Sequence, residues 1–268
     1  MQERFIISPY KKVYYFIMLL VIAIPLMIFC FCPAISQPLD YHNFADQRTY
    51  YNIPYFYNVL SNLGFLIVGV MGLIFLNVSS MHGFKDAKEK RMHKLFFLAL
   101  ILGAYGSAYY HWNPNNLTLF WDRLPVAIAL MIFQAAIIGD HVTTQLGHRM
   151  LVPLMLLGAA SVIYWQYTEM NQHGDLRFYG LVQLLPSLII PIMLWKLPSR
   201  YTHTCYLWGA VAYMSLGRAA EFLDHQIYAL SGNLISGHTV KHLSLAAASY
   251  AILQHLRKRE PIRYTSSL

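Results

Sequence analysis

The chain has 268 residues, of which 57% are hydrophobic and only 12% charged, and its mean hydropathy is +0.40. Ordinary soluble proteins carry roughly 25% charged residues, and a soluble domain of this size cannot hide so much apolar surface. The formal net charge of +8 raises nucleic acid as a partner, which its distribution along the chain then excludes.

Eight stretches are long and apolar enough to read as membrane-crossing helices, at about 20 residues each. They cover residues 13–33, 56–77, 94–112, 120–139, 150–167, 178–195, 204–223 and 238–256. All are read as helices, because backbone in hydrocarbon must satisfy its own hydrogen bonds. The first follows Lys11 and Lys12, as a signal peptide would. No charge interrupts it before Asp40 and no small-residue cleavage site follows, so it reads as a retained helix. The fifth and seventh are the least typical, with Glu169 and Glu221 near their ends. Three cysteines, Cys30, Cys32 and Cys205, form neither a disulfide framework nor a metal-type CxxC pair. They read as small apolar packing residues.

The longest connections are 34–55, rich in proline and aromatics, and 78–93, strongly charged. Residues 1–39 make a short basic start and an extra helix, 40–256 a seven-helix membrane domain, and 257–268 a basic tail. The expected fold is an all-α polytopic membrane protein, a seven-helix core with one added N-terminal helix. Lys and Arg cluster at Arg4 to Lys12, Lys85 to Lys94, Arg149, Lys196, Arg200 and Arg257 to Arg263, which places 15 of the 20 on one side. The positive-inside rule then puts both termini in the cytoplasm. The basicity is topological.

Polar residues that titrate are costly in such helices and mark functional sites. Ser107 and His111 end the third span, four residues apart and so on one helix side. His111 lies about 26 Å from Lys94 at 1.5 Å per residue, near the outer face. Asp122 opens the next span at the same depth, after the turn "WNPNN". His238 and His242 open the last span, again four apart, the spacing by which one helix offers two imidazoles to one metal. Three neutral imidazoles are the ligand set of a catalytic zinc whose fourth position is left to water. Zinc lowers the pKa of such a water to about 7. Asp122 has the chemistry of a general base and acid, and Ser107 that of a donor to a water or an oxyanion.

A blander reading stands beside this one. A histidine at a membrane interface is commonly an amphipathic side chain, and twelve histidines make chance HxxxH pairs common. His42, His82, His141, His148, His173, His203 and His255 read as loop or interface residues, His93 as part of the charged cytoplasmic loop, and Asp122 with Arg123 as an interfacial ion pair.

Three motifs in order are similar to those of the alkaline ceramidases, a branch of a superfamily that also holds the progestin and adipoQ receptors. "FYNVLSNLGFLIVG" resembles that branch's F-W-N-x-x-S-N helix. "GSAYYHWNPNNLTLFWDRLP" resembles its G-S-x-x-F-H motif followed by an Asp in a D-E-L-P-like segment. "GHTVKHL" resembles its closing H-x-x-x-H. The likeness spans about residues 40–256. It implies a seven-helix core, zinc on His111, His238 and His242, and Asp122 and Ser107 as catalytic partners. It also implies an N-acyl amide of a lipid as substrate, drawn from the bilayer. It does not extend to the calcium site of the animal enzymes. Tyr55 stands where they carry a glutamate, leaving Asp40, Asn43 and Asp46 as the oxygen ligands on offer. Arg123 stands in place of the acid that follows their aspartate. Two function classes stay open: a lipid amidohydrolase, and a receptor or structural membrane protein in which zinc ties helices together. Oligomeric state is not legible, and Arg218, Glu221 and Asp224 have no assigned role.

Overall fold

A computed structural model describes residues 10–79 and 83–262, so Arg4, His82 and Arg263 lie outside the described residues. The chain is all-helical, with no strand among the described residues. Its helices are α1 (Lys11–Phe31), α2 (Phe56–Val78), α3 (Ala87–Trp112), α4 (Asn116–His141) and α5 (Thr144–Met170). Then follow α6 (Arg177–Lys196), α7 (Cys205–Phe222), the short α8 (Asp224–Leu230) and α9 (Gly237–Lys258).

Five of these, α1, α2, α4, α5 and α6, are long and apolar enough to cross a membrane. Helices α3, α7 and α9 are also at least 18 residues long but more polar. In α3 the cause is plain: the helix begins at Ala87 and takes in Lys88 to Lys94, residues expected in a loop.

Local signals start the helices where the chain enters them. Asn115 forms a reciprocal cap with Thr118 at the head of α4, Asp86 accepts from the Lys88 amide at α3, and Ser236 from the Thr239 amide at α9. Each satisfies amides that the first helical turn leaves unpaired. Helix α4 is the central element, packed along both α3 and α5, while α9 packs along α7 and α2. Helix α1 has no buried residue and leans mainly on α6, at the periphery. The exposed surface of the bundle carries Ile67, Ile74, Leu102, Leu156 and Ile163, the large apolar side chains expected where lipid is the solvent.

Two corrections concern single residues. The cysteines are not core packing residues, since Cys30, Cys32 and Cys205 are all exposed. His93, His141 and His255 are buried at 3%, 1% and 1% exposure, inside the end of the bundle where Arg259 and Glu89 also lie. The basic residues that read as loop charges reach inward there instead. Arg259 is fully buried and pairs with Asp140 at 2.9 Å.

Candidate metal centre

Two close helix crossings bring the site residues together. At Gly106 the backbone of α3 touches α4 so closely that a Cβ would lie 2.0 Å from the Trp121 carbonyl oxygen. That contact brings Ser107 and Asp122 to one cavity. At Gly237 the start of α9 meets the end of α7, a Cβ there lying 2.1 Å from the Ala220 carbonyl oxygen. His238 follows immediately. Any side chain at either glycine would push the helices apart and the site with them.

His111, His238 and His242 each bring one ring nitrogen to within 4.8 Å of the other two, and all three rings are buried. His111 Nε2 and His238 Nε2 are 3.1 Å apart. Nitrogens held 2.0–2.1 Å from one tetrahedral ion lie about 3.3 Å apart, so the cluster fits a metal ion with little adjustment. The ring planes are mutually inclined at 62–76°, so the imidazoles do not stack and their edges converge.

Neighbours that the sequence did not single out hold these rings. Ser61 Oγ donates to the Asn58 carbonyl at 3.0 Å, so toward His242 Nδ1, 2.8 Å away, it acts as acceptor. His242 therefore carries its proton on Nδ1 and offers Nε2 to a metal. Asp224 accepts from the His238 amide at 2.7 Å and from the Ala45 amide at 2.9 Å, fastening the outer loop to the head of α9. From that loop Phe44 lies over His111 and His238, with ring centroids 4.7 and 4.5 Å away. His42, given no role from sequence, bridges Tyr110 and Asn116 at 2.8 Å each. Ser61 stood within the quoted S-N motif. Phe44, His42 and Asp224 carried no spacing signal, because their roles depend on how the outer loop folds back.

Ser107, Asp122 and His242 line one cavity of about 160 Å³. Its deeper wall is apolar and includes Phe96, Leu100, Phe133 and Ile252. Its polar rim holds Glu221, which pairs with Lys241 at 2.7 Å and with Arg218 at 2.9 Å, the latter at the expected three-residue spacing. Arg123 forms no ion pair with Asp122; its guanidinium donates instead to Gln37 Oε1 at 2.6 Å. Asp46, one of the oxygen ligands on offer to calcium, is engaged by Arg48 at 2.6 Å.

The five residues singled out from sequence thus meet at one end of the bundle, and the three histidines can hold a metal ion. No protein-family model matches the chain, and no curated protein matches it. The site has to speak for itself.

Proposed function

We propose that this chain is an intramembrane zinc-dependent amidohydrolase that cleaves the N-acyl bond of ceramide or a related lipid amide, in the manner of the alkaline ceramidases. One observation carries the reading: His242, one of three buried and converging histidines, lines a largely apolar cavity together with Ser107 and Asp122. A purely structural metal needs no such neighbours.

Helices α3, α7 and α9 join the five more apolar ones as spans, which gives a seven-helix core plus α1. Charge bias places both termini in the cytoplasm and the histidines toward the outer side. Zinc at this position supplies Lewis acidity and eases deprotonation of water near neutral pH. The remaining work falls to the chain. Asp122 takes a proton from the water that attacks the acyl carbon and passes it to the departing nitrogen. Ser107, in the same cavity, offers a hydroxyl to the developing oxyanion. The acyl chain lies against the apolar wall. Along α4 that wall runs from Asp122 to Phe133, eleven residues, or about 16 Å.

The test pairs metal content with fatty-acid release on the same purified samples. Wild type is expected to hold about one zinc per chain, and His238→Ala to lose most of it together with all turnover. Asp122→Asn is expected to keep its zinc while hydrolysis falls about 10²–10⁴-fold. Full zinc in His238→Ala sinks the ligand assignment, and activity surviving in Asp122→Asn removes that residue from the mechanism. Zinc-loaded wild type that cleaves no lipid amide leaves a receptor or structural role.

A further inference from the structure

Arg123 is 5% exposed, lines the same cavity as Asp122 and His242, and forms no ion pair among the described residues. Only Nη2 is used, by Gln37; Nε and Nη1 are buried without a partner. The other cations on the rim, Arg218 and Lys241, both pair with Glu221. Trp165, Tyr179 and Tyr41 surround the guanidinium, with its carbon 4.2, 4.6 and 5.4 Å from their ring centroids. The aromatics supply cation–π attraction but accept none of the free N–H groups in the plane. A buried charge left this way is costly unless an anion completes it.

Position says which part of a substrate that anion belongs to. The apolar wall descends from Asp122 through Val126, Leu130 and Phe133, toward the middle of the bundle. Arg123 reaches the other way, to Gln37 and Tyr41 of the outer loop. An amide held at Asp122 with its acyl chain in the cleft directs its amine half toward Arg123.

We propose that Arg123 selects lipid amides whose amine half bears a carboxylate, with N-acyl amino acids as the simplest class, rather than the neutral amine half of a ceramide. The assignment rests on the amidohydrolase reading above. A carboxylate oxygen can accept from the idle Nη1 or from Nε, which open on different sides of the guanidinium. In the reaction the oxygen of water joins the acyl carbon, the C–N bond breaks, and the nitrogen leaves as the ammonium of a zwitterionic amino acid. The acyl half departs as a fatty carboxylate, so charge is conserved.

The experiment uses the full zinc-loaded chain in lipid nanodiscs with three probes of one acyl length: N-oleoylglycine, neutral N-oleoylethanolamine, and oleate. Oleate release from the two amides is timed, and equilibrium binding of all three is measured calorimetrically. Wild type is expected to favour N-oleoylglycine at least about tenfold in kcat/KM. Arg123→Gln is expected to cut that value about 10²-fold and collapse the ratio, as loss of a buried charge partner does. Arg123→Lys is expected to recover part of it. Equal kcat/KM for the two amides in wild type overturns the proposal, even if Arg123→Gln fails to fold. If neither amide is cleaved, the amidohydrolase reading fails separately and Arg123 is judged on binding. Equal affinity for N-oleoylglycine and N-oleoylethanolamine then overturns the carboxylate assignment. Oleate bound as tightly as N-oleoylglycine, with both lost in Arg123→Gln, would put the anion on the acyl half and overturn the amine-half assignment.

Discussion

Two buried polar clusters sit at opposite ends of this bundle, Glu89 and His111 being about 33 Å apart along α3. At the Glu89 end every charge finds its answer inside the protein. Glu89 accepts from Thr144 at 2.6 Å, from Tyr201 and from the Lys85 amide, with Arg200 and Arg259 at 3.8 and 3.7 Å. Arg259 pairs with Asp140 and lies 3.9 Å from the Tyr201 ring centroid. At the His111 end the groups face one another without completing a network: three imidazole edges converge, and Arg123 keeps two idle nitrogens. The first cluster fastens α3, α4 and the segment after α9 to each other. The second brings three imidazole edges to one point beside an arginine with no countercharge, which is what a ligand needs. Idle nitrogens alone do not separate a fastening from a site, since His93, His141 and His255 keep unpartnered ring nitrogens at the Glu89 end too; convergence and an unmatched charge do.

The largest expected effect breaks the fastening. Arg259→Met leaves Glu89 and Asp140 buried and short of a countercharge, an imbalance that costs about 3–5 kcal/mol. Thermal unfolding in nanodiscs should show that loss, with zinc content per folded chain unchanged. Equal stability would mean the cluster is solvated and is no fastening. A smaller effect is expected at the other end, from a residue that touches no substrate. Ser61→Ala removes the acceptor of the His242 Nδ1 proton and should weaken zinc binding about 10–100-fold with little change in melting. Competition with a chelator measures it, and unchanged affinity would show that the Asn58 carbonyl suffices. The smallest effect belongs to a pair at the start of α6, Asp175 with Arg177 at 2.7 Å. Hydrogen bonds from Arg177 hold the Asp175 carboxyl at about 2, below its ordinary 3.8. Stability from a depressed carboxylate is complete above the unfolded value, near pH 4, and is lost as pH falls toward 2. A slight drop in melting temperature across that window should vanish in Asp175→Asn, and its persistence there would assign it to other carboxylates.

Much of this was legible along the chain. The apolar stretches foreshadow all eight long helices within a few residues, apart from the early starts of α3 and α5. The i, i+4 pairs Ser107/His111 and His238/His242 each share a helix side because the helical repeat requires it. The idle state of Arg123 was not legible. Beside Asp122 in sequence it read as half of an ion pair, yet adjacent residues on a helix point about 100° apart, and Arg123 found its partner, Gln37, on another element. His93, His141 and His255 were misplaced for a related reason: a histidine near a charged stretch looks solvated until the helices close over it.

Composition and spacing by themselves determined that the chain is helical and apolar, and that three histidines, a serine and an aspartate lie at one depth. Those properties depend only on the helical repeat and on the cost of placing polar groups in hydrocarbon. Tertiary structure decided whether that common depth becomes a site. The crossings at Gly106 and Gly237, the outer loop that carries Phe44, and the partners of Ser61 and Asp224 join residues far apart in sequence. Contacts of that kind follow from how helices pack, which no local pattern encodes.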